Sequence, residues 1–242
     1  MSMRLAKFLA SAGIASRRKS EQLIIDKLVK VNGVYCTNVA TNVNPAVDQI
    51  ECRGAKVQAM GDHFYIALNK PRGYVSSTKP ERNAPSVMEL LPQELVKGIR
   101  MYPIGRLDKD SEGLLLLTND GDLANMMTHP RYKLDKEYEV SLDRPISQED
   151  LRMLRKGVQL SEGFSKPDEL QIIHVPPART KLSIVLHEGK KHQIRKMFFS
   201  LGYRVEKLVR VRIGALHLGH LKIGAHKQIK KPTVTTNPEG KL

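Results

Sequence analysis

The sequence predicts a mixed α+β domain preceded by a small N-terminal α/β module. Three observations carry that prediction. Beyond residue 62, strand-like and helix-like segments alternate irregularly, without a fixed-period repeat and without the regular βαβ order of a doubly wound sheet. The run Leu114-Leu115-Leu116-Leu117 demands burial on both faces, as in a central strand. At the other end of the chain, two short helical patterns lead into an Asn-Gly hairpin signal.

In the N-terminal module, Leu5, Phe8, Leu9 and Ala12 recur at helical spacing and Gly13 supplies a stop. Ser16 is placed to cap a second helix, whose apolar face would carry Leu23, Ile24 and Leu28. Val29–Val31 and Val34–Tyr35 then flank Asn32-Gly33, where both turn positions tolerate positive φ. Arg17, Arg18 and Lys19 stand together at the start of the second helix. The macrodipole is positive there, so three cations fit better if phosphates compensate them, although a solvated charged turn has the same composition. Residues 44–62 contain Pro45, Gly54 and Gly61 among short polar pieces, which places a boundary near Gly61. The expected division is a module with its linker over 1–61, a larger domain over 62–231, and a disordered polar tail over 232–242.

The larger domain opens on a buried strand, Phe64 to Leu68, followed by the tight basic turn Asn69-Lys70-Pro71-Arg72-Gly73 and extended chain from Tyr74 to Ser77. The charged loop ahead of the leucine run must lie at the edge of the core, where a carboxylate is partly desolvated. Asp108 therefore sits on a short loop anchored by a rigid strand, a good place for a reactive group and equally a common place for a turn or capping residue. Thr118 to Gly121 turns the chain into a helix with Leu123, Met126 and Met127 inward, ending before Pro130. Lys136, Tyr138, Val140 and Leu142 share one face of a strand, and Glu137, Glu139 and Ser141 the other. Further on, Ile194, Met197, Phe198 and Leu201 form a helical stripe ended by Gly202, with Arg195 at its margin. From Tyr203 to Ile213, alternation puts Val205, Val209, Val211 and Ile213 on one face and Arg204, Arg210 and Arg212 on the other. That basic face reads as a phosphate track or as a solubilising surface.

Composition points to the kind of partner. The 242 residues carry 40 Lys and Arg against 25 Asp and Glu, a formal net charge of +15, which favours a polyanion. From Gly189 to Lys231, twelve Lys or Arg face a single acid, Glu206. The two cysteines, Cys36 and Cys52, form no clustered motif, so neither a disulfide framework nor a Cys-based zinc site is expected. No apolar run approaches the length of a membrane span. Lys7 interrupts the stretch from Leu5 to Ala15, and Arg17, Arg18 and Lys19 follow it where a secretory signal would be cleaved, so a cytoplasmic location is expected. There is no Walker loop, GxGxxG or HExxH. His217, His220 and His226 lie in a Gly-rich segment without accompanying Cys or Asp and read as surface or polyanion-facing side chains. No metal, membrane or small-molecule cofactor is expected, and the chain is taken as a monomer.

Two resemblances join these readings. Arg4-Leu5-x-Lys7-Phe8-Leu9, Ala15-Ser16-Arg17-Arg18-Lys19 and Val31-Asn32-Gly33 resemble the small RNA-binding module shared by a ribosomal small-subunit protein and many RNA-modifying enzymes. One departure is Lys27, which stands about where that family has a glycine between helix and strand, so the helix exit is expected to differ. Gly105-Arg106-Leu107-Asp108-x-x-Ser111-x-Gly113-Leu114 resembles the signature of the pseudouridine synthases acting on ribosomal RNA. Asn69-Lys70-Pro71-x-Gly73 precedes it; Lys136-x-Tyr138 and Glu188-Gly189-Lys190-x-His192-Gln193-Ile194-Arg195-Lys196-Met197-Phe198 follow in the family's order.

The resemblance implies a largely antiparallel central sheet with flanking helices, no cofactor, and ribosomal RNA or a pre-ribosomal particle as partner. It makes Asp108 the nucleophile or charge-stabilising carboxylate, Tyr138 the ring against the flipped uracil, and Arg195 an ion-pair partner of Asp108. Arg106 would hold the RNA open, with Leu107, Lys70, Gln193 and Lys196 as further substrate contacts. Arg4, Lys7, Arg17, Arg18 and Lys19 would serve the RNA-binding module. The large-subunit RNA is favoured over the small. A non-catalytic RNA-binding or assembly factor is the alternative, and a hydrolase pairing Asp108 with Asp110 is weaker.

Overall fold

A computed structural model describes residues 2–59, 61–81, 84–174 and 180–234. The chain divides into two compact units. One comprises residues 1–63 together with 97–100 and 119–121, and the other takes the remainder.

In the N-terminal unit, helices Leu5–Ser11 and Arg17–Ile25 bury Leu5, Phe8, Leu9, Leu23 and Ile24 against Val29, Val43 and Ile50. The Ser16 hydroxyl accepts from the Lys19 N–H at 3.3 Å, satisfying one otherwise orphaned donor of the helix start. Four antiparallel strands follow in the order Val34–Tyr35, Val29–Val31, Ile50–Cys52, Ala55–Lys56. Asn32 (φ 52°) and Gly33 (φ 81°) both take positive φ, which matches the hairpin to the strand twist. The Asn32 side chain secures the turn from outside, accepting from the Gln49 N–H and donating to Asp48, both at 2.9 Å. Lys27 takes the left-handed turn at φ 56° despite its side chain. Leu28 lies beyond the helix and is 37% exposed, so it does not share the face of Leu23 and Ile24.

The second unit is built on a nine-stranded sheet. Its main path runs Glu169–His174, Lys181–Leu186, Lys136–Leu142, Val205–Ile213, Glu112–Thr118, Tyr65–Lys70, His226–Gln228. Leu216–His217 pairs with Val205–Ile213, and Tyr102–Ile104 pairs with Glu112–Thr118. Every pairing is antiparallel except that between Glu112–Thr118 and Val205–Ile213. The mixed, largely antiparallel sheet is the one the sequence implied. Leu114 to Leu117 are at most 1% exposed and lie in the middle of it. Leu114 and Leu116 pack with Tyr65, Ala67, Leu123 and Met127, the last two from helix Gly121–Thr128. Helix Gln193–Phe199 buries Ile194, Met197 and Phe198 in a second cluster with Val140, Leu142, Leu182 and Ile184.

The parallel pair forms where Gly113 meets Arg210. Gly113 has φ 105°, and a Cβ there would sit 2.3 Å from the Arg210 carbonyl oxygen, so only glycine allows the strands this close.

Strict alternation fails in Val205–Ile213. Its register against Lys136–Leu142 shifts twice, leaving Glu206 and Val211 as extra residues. Each bulge reverses the alternation. The buried set is therefore Val205, Leu208, Arg210 and Ile213 rather than the valines at 209 and 211. Most of the tail expected over 232–242 lies outside the described residues; Val234, which is within them, packs against the leucine cluster.

Candidate active site

Asp108 stands on the loop that feeds the leucine strand, and that loop is pinned by its backbone. Lys70, at the end of the neighbouring strand, is 0% exposed. Its ammonium donates to the carbonyl oxygens of Ser111 (2.7 Å), Asp108 (3.0 Å), Pro71 (3.1 Å) and Lys109 (3.4 Å). The Ser76 hydroxyl accepts from the Leu107 N–H at 3.0 Å, and the Gly73 N–H donates to the Lys109 carbonyl at 2.8 Å. Burial pushes the Lys70 pKa down to about 8, against the opposing pull of Asp108, Asp110 and Glu112. Lys70 has no surface left for RNA, so its expected place as a substrate contact is corrected: it lies behind the loop, where four carbonyls converge, those of Asp108 and Lys109 also receiving a backbone N–H, from Ser111 and Gly73.

The Asp108 side chain is 34% exposed, and its Oδ2 lies 3.4 Å from Nδ1 of His192. His192 holds a left-handed backbone (φ 54°) at the start of helix Gln193–Phe199. Asp108 and His192 open into a cavity of about 150 Å³, where Tyr138 and Arg106 provide polar walls and Leu107, Ile194 and Leu208 apolar ones. A second cavity of about 600 Å³ adjoins it and shares Arg106, Tyr138, Glu188, Gly189 and Lys190.

Arg195 does not make the expected ion pair. Its guanidinium donates to the backbone carbonyls of Val205 (2.8 Å) and Asp110 (3.0 Å), and among the described residues no contact within 4.0 Å joins it to the Asp108 carboxylate. The helix places Arg195 between a strand and the loop, and the two carbonyls take its donors. It is still near enough for electrostatics: burial lowers its pKa, while Asp110 and then Asp108 oppose that shift.

The unit that contains this cavity is matched over residues 64–200 by the family profile described as RNA pseudouridylate synthase. The chain belongs to that family. An S4 domain profile matches residues 3–48. An RNA pseudouridine synthase of Aquifex aeolicus is 40% identical over 96% of this chain and 92% of its own length. Ribosomal large subunit pseudouridine synthase B of Bacillus subtilis is 38% identical over 93% of this chain and 91% of its own length. A pseudouridylate synthase crystal structure aligns with a TM-score of 0.67 and 28% identity, covering 94% of this chain and 96% of that one.

In this pseudouridine synthase the remaining predicted site residues divide sharply. Arg106 is exposed and lines both cavities, while Asp110 and Glu112, its conceivable structural partners, pair instead with Arg72 (3.7 Å) and Lys207 (3.4 Å). Asp110 does not line the Asp108 cavity, which removes the paired-carboxylate hydrolase. Leu107 is buried in the wall. Gln193 reaches the same wall with its amide committed: it donates to Ser165 at 2.6 Å and to Glu188, and accepts from the Lys190 N–H at 3.1 Å. Lys196 pairs with Glu162 and lies outside this cavity, lining instead another one with His192 and Arg195.

The phosphate track is also corrected. Arg210 is buried, donating to the Leu114 carbonyl at 2.8 Å, and Arg212 is tied to Glu137 at 2.8 Å. Of the three arginines only Arg204 is exposed. His192, Ile194 and Leu208 were missed as site residues. Two of them lay inside the quoted Glu188–Phe198 motif, and the bulge at Glu206 hid the third.

In the N-terminal unit Arg17, Arg18 and Lys19 are exposed, with Arg17 3.8 Å from Glu21. Arg4 is exposed and donates to the Ala40 carbonyl, and Lys7 is half-buried. Among the described residues no three His, Cys, Asp or Glu side chains converge as metal ligands, and no helix is long and apolar enough to cross a membrane.

Proposed function

We propose that this synthase isomerises a uridine of ribosomal RNA, the large-subunit RNA in preference to the small, with Asp108 as the reacting carboxylate. The observation that carries the reading is a half-buried carboxylate facing a tyrosine across a small cavity, on a loop locked from behind by Lys70. Isomerisation requires the N-glycosidic bond to break, the uracil to turn, and a carbon–carbon bond to form to the ribose. A carboxylate suits both routes to that outcome, because it can bond to the sugar or stabilise oxocarbenium character.

The uridine must leave its helix to reach Asp108, and an aromatic face is the usual support for an extruded base. Tyr138 supplies that face and a hydroxyl for proton transfer. Arg106, exposed at the mouth, contacts the opened strand. Arg195 acts on Asp108 through the loop: it holds the Asp110 carbonyl and places positive charge beside the Asp108 carboxylate. Arg4, Lys7, Arg17, Arg18 and Lys19 contribute phosphate contacts. The name of the Bacillus relative supports the large-subunit choice. The synthase works in the cytoplasm as a monomer.

Mapping pseudouridine by carbodiimide adducts across both ribosomal RNAs of a deletion strain tests this reading. The expected result is loss of modification in the large-subunit RNA, restored by the wild-type gene. Complete retention of every pseudouridine would overturn it.

A further inference from the structure

The larger cavity beside Tyr138 contains two cations that the isomerisation chemistry does not use. Arg210 faces Tyr138 across the register of their strands and is 2% exposed. Its Nε donates to the Leu114 carbonyl at 2.8 Å and its Nη1 reaches the Arg106 carbonyl at 3.5 Å, but Nη2 is buried without an acceptor among the described residues. Lys136 lies two residues before Tyr138 on the same face of its strand. Its ammonium donates to the carbonyls of Leu134 (2.9 Å) and His187 (3.0 Å). Burial, and then the positive charge of Arg210, push the Lys136 pKa down to about 8. Two neighbouring cations are therefore desolvated together, and the two N–H groups of one guanidinium nitrogen lack an acceptor among the described residues. Both costs are relieved by an anion.

The walls favour the same ligand. Arg106, Lys133 and Lys190 add positive charge, and Glu188 is the single acid among the lining residues. The Glu188 carboxylate is already engaged by Gln193 and by Lys190 at 3.1 Å. At about 600 Å³ the cavity is far larger than an isolated phosphate needs and lies within the range of sites for whole ligands. It also shares Arg106, Tyr138 and Lys190 with the Asp108 cavity, so a strand that delivers a base to one passes the other.

We infer that this cavity receives a phosphodiester of the RNA strand next to the nucleotide held over Asp108, with the half-buried Lys136 as its ligand and the Arg210 guanidinium in the wall behind it supplying positive charge. The inference rests on the function proposed above and adds a strand-binding site to it.

Binding, measured without turnover, separates the two claims. Wild type, Lys136→Gln and Arg210→Lys would be titrated by fluorescence anisotropy with a short RNA carrying the target uridine, over a range of salt concentrations. Circular dichroism would verify folding, and Lys136→Gln decides the matter if Arg210→Lys does not fold. The expected result for Lys136→Gln is about tenfold weaker binding, with the slope of log affinity against log salt reduced by about one. KM should rise while kcat changes by less than about threefold, the pattern of a contact made equally in ground and transition states.

RNA affinity and salt slope unchanged in folded Lys136→Gln would overturn the inference. So would inorganic phosphate raising the melting temperature of wild type but not of the variant while their RNA affinities stay equal, since the site would then take a free phosphate compound. Loss of RNA affinity in the variants alongside a wild type that makes no pseudouridine would keep this site and remove the catalytic reading.

Discussion

The Lys70 ammonium, fully buried, donates to the carbonyl oxygen of Asp108 at 3.0 Å, so the residue proposed to supply the reacting carboxylate is held through its own backbone. The same ammonium also holds the carbonyls on either side of the turn. Orientation is thereby fixed before substrate arrives, which is how a rigid scaffold lowers the entropic part of a barrier.

Lys70→Met tests that hold. The substitution keeps the side chain's approximate bulk and strands buried carbonyls that have few other donors. Each orphaned acceptor costs about 1–3 kcal/mol, so a stability loss of roughly 3 kcal/mol is expected in urea denaturation. Single-turnover pseudouridine formation should slow by at least about tenfold, because a loosened loop misplaces Asp108. An unchanged rate would show that the loop needs no such anchor.

Activity and stability should respond oppositely to alkali. Lys70 and Lys136 both have folded pKa values of about 8, below the ordinary lysine value of 10.5. Between those values the unfolded chain binds more protons, so the contribution of these groups to stability rises as pH climbs from about 8 to 10.5. Deprotonated Lys70 has lost a donor and its charge, so kcat should fall as pH passes about 8. Rate profiles paired with urea midpoints from pH 7 to roughly 10 measure both trends. A flat rate profile across that range would contradict the assignment.

Much of the fold was legible because local signals agreed with tertiary demands. The leucine run could satisfy its burial only inside a sheet, Asn32-Gly33 offered the two positive φ values the hairpin needs, and Ser16 was an available cap. What stayed hidden depended on distant partners. Lys70 looks like the start of an exposed basic turn until carbonyls from Asp108, Lys109 and Ser111 are seen to converge on it. Arg210 looks outward until two bulges bring it onto the buried face. Arg195 was read from the helix margin as a carboxylate partner, yet backbone oxygens outside any sequence pattern take its donors.

Gly113→Ala tests the close approach beside the site. The added Cβ would meet backbone atoms of Arg210 at 2.3 and 2.6 Å, at a φ of 105° that disfavours side chains. Neither strand can yield locally, because one carries the leucine core and the other pairs with Lys136–Leu142. Strain of this kind places the variant among strongly destabilised substitutions, about 4 kcal/mol or more, visible as a lowered melting temperature. A melting temperature equal to that of wild type would mean that the strands are not in this register.

The central claim concerns one carboxylate, and its direct test is Asp108→Asn assayed on ribosomal RNA by carbodiimide adduct mapping, with RNA affinity measured in parallel. The substitution removes the charge and leaves size and hydrogen bonding nearly intact. The expected result is no detectable pseudouridine at the wild-type site together with RNA affinity within about threefold of wild type. Modification at the wild-type rate would contradict the account, since the reaction would then proceed without the Asp108 carboxylate.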